Sequence, residues 1–149
     1  MNAIRRYAPA AGRLLLGLVF TTFGLNFFLH FLSMPPPPPQ ALKAIGGLMG
    51  VGYLMPLVHA IELVAGVLLL TGRFVPLALT LLAPVIVNIV AFHATVAPSG
   101  LGLGIVVLAL ELGLAWAYRA AFAPMLRART PLATATGGHA VTEDLRAVA

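Results

Sequence analysis

Four apolar stretches, each about as long as a bilayer is thick, constrain this chain more than any other feature of its sequence. They cover residues 14–32, 53–71, 75–97 and 101–118. About twenty helical residues, rising 1.5 Å each, cross a hydrocarbon core of roughly 30 Å. Because backbone polar groups in lipid must find their partners within the protein, each stretch is expected to be an α-helix. The sequence therefore predicts four transmembrane helices.

The composition agrees with a membrane protein. Of the 149 residues, 60% are hydrophobic and 9% are charged, and the mean hydropathy is +1.01, whereas a soluble domain carries about 25% charged residues. The net charge of +5 comes from arginines at the ends of apolar stretches, so we expect lipid contact and no nucleic-acid partner. Cysteine is absent, which excludes disulfides, thiolate metal ligands and a dithiol relay.

The segments between the stretches predict the topology. The second and third connections, at residues 72–74 and 98–100, are tight turns, so the helices that they join are antiparallel neighbours. The first connection is long, with five prolines at 35–39 that favour an extended chain. Residues 40–49 are expected to form a short helix, broken at Gly46 and Gly47, that lies across the mouth of the bundle. The predicted fold is thus an all-α antiparallel bundle of four transmembrane helices with a short extracytoplasmic helix in the first loop.

Basic residues indicate how the bundle is oriented. Three precede the first span, one lies in the second connection and four follow the last span, while Lys43 alone lies in the first loop. Since basic residues favour the cytoplasmic side, both termini are expected there. The predicted organisation is a cytoplasmic flank at 1–13, a membrane domain at 14–122 and a flexible cytoplasmic tail at 123–149. The basic residues that carry the prediction are Arg5, Arg6, Arg13, Arg73, Arg119, Arg127, Arg129 and Arg146.

Several segments resemble one known family. Residues 62–74, ELVAGVLLLTGRF, are similar to the Glu-Leu-x-x-Gly…Leu-Leu-x-Gly-x-Phe signature of the DoxX family. Residues 11–20, with Gly24-Leu25-Asn26, resemble the family's opening helix, and residues 88–93 and 118–122 are similar to one of its branches. The resemblance covers residues 11–126 and implies a small four-helix protein of the bacterial inner membrane.

The resemblance implies no single activity. Some members are similar to the membrane subunit of a thiosulfate:quinone oxidoreductase, and others accompany soluble redox or stress-related proteins. It therefore implies at most the membrane subunit of an oxidoreductase, with quinone as the candidate cofactor and a soluble redox protein as the candidate partner.

Polar side chains within the spans are candidates for a functional site, because placing them in a bilayer is costly. Measured from the ends nearest the first and third loops, they lie at depths between about 3 and about 15 Å. His30 is the shallowest, Glu62 and Asn88 share a depth of about 13 Å, and Glu111 is the deepest. The seven residues are Asn26, His30, His59, Glu62, Asn88, His93 and Glu111.

All of these except Glu111 are predicted to bind a ligand in a polar pocket that opens outward. Glu62 and His59, three residues apart and so on one helix face, are candidate proton carriers, and no residue is assigned as catalytic. Glu62 is expected to be buried and hydrogen-bonded to another span, with Asn88 as the first candidate and Asn26 as the second.

Other interpretations of the polar residues remain open. Glu62 and Asn88 are also suited to joining helices by buried hydrogen bonds, and Glu111 to pairing with a neighbouring helix or with a second subunit of a homo-oligomer. Imidazoles with a carboxylate suit zinc or copper, but their spacing matches no dedicated metal motif, and no metal site is predicted.

Three functions compete at this point. The first is a membrane subunit or partner of a quinone-linked redox system. The second is a non-catalytic anchor or assembly partner that holds a soluble enzyme at the membrane, for which a small-residue stripe at Ala109, Gly113 and Ala117 offers a surface. The third, transport of a small solute, is less favoured because four helices leave little room for alternating access.

Overall fold

The computed structural model of the chain describes residues 2–129, with side chains from Tyr7 onward. Every regular element in this part is helical, and four of the helices are long and apolar enough to cross a bilayer. The predicted fold class is therefore confirmed. Residues 130–149, which carry most of the predicted tail, lie outside the described part. The elements are α1 (Asn2–Leu29), α2 (Pro39–Gly50), α3 (Leu54–Thr71), α4 (Val75–Thr95), a 3-10 turn (Pro98–Gly100), α5 (Leu101–Ala117) and α6 (Arg119–Phe122).

The four long helices form a closed ring. Helix α1 packs against α3, α3 against α4, α4 against α5, and α5 against α1. Large apolar side chains that point away from the ring, such as Leu18, Val64 and Leu112, are more than half exposed in the isolated chain. In a bilayer these side chains meet lipid, so each helix is apolar on its inner and its outer face.

Helices α1 and α3 approach so closely that their backbones are in contact. A Cβ atom at Gly66 would lie 2.6 Å from both the backbone N and the Oγ1 of Thr21, and one at Gly24 would lie 2.9 Å from the backbone N of Leu63. A Cβ atom at Gly17 would lie 3.0 Å from the carbonyl oxygen of Gly66. Small residues that allow such an approach are the usual basis of helix packing in membranes. We call this contact the glycine seam.

The bundle is closed at the end that carries the turn between α3 and α4. Gly72 ends α3 in the left-handed conformation, with φ 71°, and the backbone N–H of Arg73 donates to the carbonyl of Leu68. This hydrogen bond is that of a Schellman motif, which gives partners to carbonyl groups at the end of the helix that have none within it. Arg13 of α1 adds a second cap, because its guanidinium donates to the carbonyl oxygens of Leu69 at 2.6 Å and Leu70 at 3.3 Å.

The helices differ from the expectation in two details. Helix α1 begins well before residue 14 and ends at Leu29, so residues 30–32 lie beyond it. The short helix of the first loop is present as α2, but it continues through Gly46 and Gly47 instead of breaking there. A Cβ at either glycine would meet nothing within 4 Å, so neither packs against a neighbour, and the helix begins at Pro39, where a missing N–H costs nothing.

Candidate functional site

A cavity of about 740 Å³ lies inside the bundle at the end opposite the turn between α3 and α4, beside the first loop and the 3-10 turn. This volume is in the range of small-molecule sites. Its walls are mainly apolar and include Phe23 of α1, Phe92 of α4 and Val107 of α5, while residues 35–38 and Ala41 of α2 form the cover. The polar groups among its lining residues are His59, Glu62, His93 and Ser99.

His59 and Glu62 form a hydrogen-bonded pair in the cavity wall. Their Nδ1 and Oε2 atoms are 2.7 Å apart, and the side chains are 20% and 7% exposed. The two residues lie three apart on α3, so the helix itself sets their distance. With Glu62 ionised, Nδ1–H of His59 donates to the carboxylate, and Nε2 is left as the ring's second polar atom.

The ring of His59 is also held by an aromatic neighbour. Phe27 of α1 stacks on it with ring centroids 4.2 Å apart and planes inclined by 22°. One turn away, Gly24 of α1 brings its backbone against the carbonyl of His59. The glycine seam therefore places α1 where Phe27 can fix the orientation of the imidazole.

His93 lines the cavity from the other side, near the end of α4. Its Nδ1 is 2.9 Å from the carbonyl oxygen of Ala97, which can only accept, so Nδ1 carries a hydrogen and, in the neutral ring, Nε2 is the free acceptor. The ring contacts Gly100 of the 3-10 turn so closely that a side chain at that position would overlap it. The missing side chain at Gly100 therefore leaves the space that the imidazole occupies.

Asn26 and His30 do not line the cavity. The Oδ1 of Asn26 accepts a hydrogen bond of 2.6 Å from the backbone N–H of Leu32 and so stabilises the chain reversal after α1. His30 lies just past the helix, in a left-handed conformation with φ 51°, and its side chain is exposed. Helix α1 ends at Leu29, so His30 lies beyond it.

Asn88 is exposed on the outer surface of α4, next to Val87, which is 62% exposed. The expectation that Glu62 is buried is confirmed, at 5% exposure, but the expected hydrogen bond to Asn88 or Asn26 is wrong. The partner of Glu62 is His59 on its own helix. Equal depth made a Glu62–Asn88 contact possible, and the rotation of α4 about its axis turns Asn88 away.

The polar residues of the spans do not converge on one point. Among residues 2–129, no group of three His, Cys, Asp or Glu side chains is arranged to hold a metal ion. Of the six residues predicted to bind a ligand, the structure brings His59, Glu62 and His93 to the cavity and leaves Asn26, His30 and Asn88 outside it. The interior is consequently more apolar than the sequence suggested.

The sequence analysis overlooked several residues that shape this region. Gly17, Thr21 and Gly24 are spaced four and three apart on α1, which is the small-residue spacing of a helix contact, and this signal was available. Phe27 had no such signal, because an apolar side chain in a span suits contact with lipid as well as with a neighbouring helix. Arg13 was counted only for topology, since a cap supplied from another helix leaves no local pattern.

Comparison with known families and proteins gives one match. A family model described as DoxX matches residues 8–95, which is more than half of the chain and extends from the start of the first span to the end of α4. Comparisons with curated proteins and with solved structures found no match. The matched part contains the glycine seam and the His59–Glu62 pair, whereas α5 lies beyond it.

Proposed function

The chain belongs to the DoxX family, and from this premise we propose that it is a membrane subunit or partner of a quinone-linked redox system, with the quinone bound in the cavity beside His59 and Glu62. The observation that carries the proposal is the combination of a largely apolar cavity with one hydrogen-bonded imidazole–carboxylate pair in its wall. Apolar walls with a few placed polar groups are characteristic of sites for small organic ligands.

The residues present fit a quinone. The ring of such a ligand is flat and apolar, with a carbonyl oxygen at either end that accepts hydrogen bonds, and its reduction to a quinol consumes two electrons and two protons. His59 can donate from Nε2 when its ring carries a hydrogen on both nitrogens, with Nδ1–H directed at Glu62. Phe23 and Phe92, which line the same cavity, supply apolar surface for the ring.

In this proposal the pair holds and transfers a proton. One of the two protons would come from Nε2 of a protonated His59, whose ring would keep Nδ1–H on Glu62, and the second would come from solvent. The electrons are supplied by a soluble redox partner, because the chain has no cysteine for a dithiol relay. The role of this chain is accordingly to bind, orient and protonate.

The test is ligand-induced stabilisation of the purified full chain in detergent, with a short-chain ubiquinone and a short-chain menaquinone analogue as probes. A ligand present at a hundred times its Kd stabilises the folded state by about 2.7 kcal/mol, so saturation should raise the melting temperature measurably. We expect the shift to be lost in His59→Phe and strongly reduced in Glu62→Leu.

The matched control is Asn88→Leu, which removes a polar residue at the depth of Glu62 but outside the cavity, and should leave the shift unchanged. Glu62→Gln separates two roles, since it keeps the shape and hydrogen bonding but removes the titratable proton. If this variant binds the probe but is inactive with its partner, the carboxylate carries the proton. Absence of a shift with either quinone in the unaltered protein would overturn the proposal.

The alternative is a non-catalytic anchor that assembles with another protein, and one surface favours it. Ala109, Gly113 and Ala117 of α5 are all exposed, and a Cβ at Gly113 would meet nothing within 4 Å. This stripe can therefore receive a helix of a partner or of a second copy. Gly113→Leu should abolish co-purification or oligomerisation and leave quinone binding intact; unchanged assembly would remove the alternative.

The cavity is proposed to open toward the extracytoplasmic side, because it lies at the end that carries the first loop and Lys43, away from the other basic residues. Reporter fusions after Phe122 and in the Gly72-Arg73 turn should then read as cytoplasmic, and fusions within residues 35–40 as external. The opposite pattern would place the cavity on the cytoplasmic side and reverse the direction of proton access.

A further inference from the structure

Glu111 is a second buried carboxyl in the bundle, and it belongs to a different helix from the His59–Glu62 pair. It belongs to α5, ten residues from the start of that helix, and is 5% exposed. Its Oε2 atom is fully buried and has no hydrogen-bond partner within residues 2–129. An ionised carboxylate without a partner is strongly disfavoured in such surroundings.

The position of Glu111 excludes the two pairing roles that its sequence suggested. A second copy of the chain cannot reach a side chain that the monomer already buries. Among the described side chains on the helices around it, Arg13 caps α3, His59 bonds to Glu62, and His93 bonds to Ala97. No ion pair within the described residues joins any of them to Glu111.

Glu111 shares a helix face with two residues that line the cavity. Gly104 and Val107 of α5 line the cavity and are buried on the inner face of the helix. Glu111 follows Gly104 by seven residues and Val107 by four, so all three share that face. At 1.5 Å per residue, Glu111 lies about 6 Å deeper than Val107.

We propose that Glu111 is a protonated carboxylic acid that exchanges its proton with water in the cavity, so that the bundle holds a second proton-carrying site below the His59–Glu62 pair. The unpartnered oxygen and the shared face with two cavity-lining residues carry this inference. The exchange is a simple acid–base transfer: the O–H bond of the acid breaks as a water molecule or bound ligand accepts the proton. It goes beyond the proposed function because it needs no quinone.

The test uses infrared spectroscopy on the full chain reconstituted in lipid, with D2O as the probe. A protonated carboxylic acid has a C=O band separate from the amide bands, and this band shifts when its proton is replaced by deuterium. We expect a band that is lost in Glu111→Gln, retained in Glu62→Gln and shifted on transfer to D2O. In Val107→Phe, which fills the floor of the cavity, the D2O shift should be several-fold slower.

Two results would overturn the proposal. A spectrum in which Glu111→Gln removes no carboxylic acid band would show that the residue is ionised, and a band that does not shift in D2O would show a sealed structural group. If Glu111→Gln does not fold, the unaltered protein can be treated with a hydrophobic carbodiimide, which reacts with protonated acids in membranes. An adduct on the peptide that contains Glu111 supports the proposal, and its absence contradicts it.

Discussion

The two ends of the bundle are built differently, although the same four helices form both. At the closed end, the turn between α3 and α4 is capped by Gly72 and by Arg13. At the cavity end, the helices enclose about 740 Å³ and are covered by a proline run and α2. The largest fully buried side chains lie toward the closed end and the middle: Leu16, Leu69, Leu79, Leu82 and Ile86.

The difference shows where the chain uses small residues and where it leaves space. Along the glycine seam, backbones touch because Gly17, Gly24 and Gly66 carry no side chain. Beyond Ile86, by contrast, the inner side chains of α4 are only partly buried, and His59, Glu62 and His93 lie in this looser region. Dense packing thus fixes the positions of helices α1 and α3, and the polar groups lie where side chains do not fill the interior.

The largest effect is expected from Gly66→Ala in the glycine seam. The added methyl would lie 2.6 Å from the backbone N of Thr21, and since backbone cannot move aside as a flexible side chain can, α1 and α3 must separate. Overpacking of this kind should cost about 3 kcal/mol, measured by thermal unfolding in detergent. Gly113→Ala is the matched control, because its methyl meets nothing within 4 Å; equal stability of the two variants would show that the seam is not tight.

A smaller effect is expected from Arg13→Ala at the closed end. The substitution removes the charged donor that bonds to the carbonyls of Leu69 and Leu70, and a hydrogen bond to a charged group is worth about 2 kcal/mol. Arg13→Lys retains the charge but has no planar fork to reach two carbonyls, so it should recover part of the loss. Unfolding that is unchanged in Arg13→Ala would mean that the cap contributes nothing to the closed end.

Gly72→Ala should cost less, about 1 kcal/mol, because a Cβ is disfavoured in the left-handed conformation. The new methyl also meets the guanidinium of Arg13, so the two substitutions should be coupled. In a double-mutant cycle, Gly72→Ala combined with Arg13→Ala is expected to lose less stability than the sum of the single variants. Strict additivity would show that Arg13 and the turn act independently.

The smallest effect on stability is expected from Val107→Phe at the cavity end. The larger side chain can extend into open volume, so unfolding should change by less than about 1 kcal/mol, whereas quinone binding should weaken. Ala78→Leu is the contrasting variant, because Ala78 is fully buried in α4 near the closed end and overpacking there should cost about 2 kcal/mol. If both variants are equally destabilised, the two ends do not differ in packing.

Local sequence signals were sufficient to predict the number of spans, the tight turns and the presence of a helix in the first loop, although not its continuity through Gly46 and Gly47. These features are local, because the length of an apolar run and the residues that interrupt it dictate a transmembrane helix and its ends. The sequence also placed His59 and Glu62 on one helix face, although it did not predict the hydrogen bond between them. Residues three apart on one helix are neighbours wherever the helix lies.

The rotation of each helix about its axis was not predictable in this way. In a soluble protein the polar face of a helix reveals which side is buried, but these spans are apolar on both faces, since lipid replaces water outside. Asn88 therefore matched Glu62 in depth and yet faces outward. Which faces turn inward is set by contacts between helices, and those contacts exist only when the whole bundle has assembled.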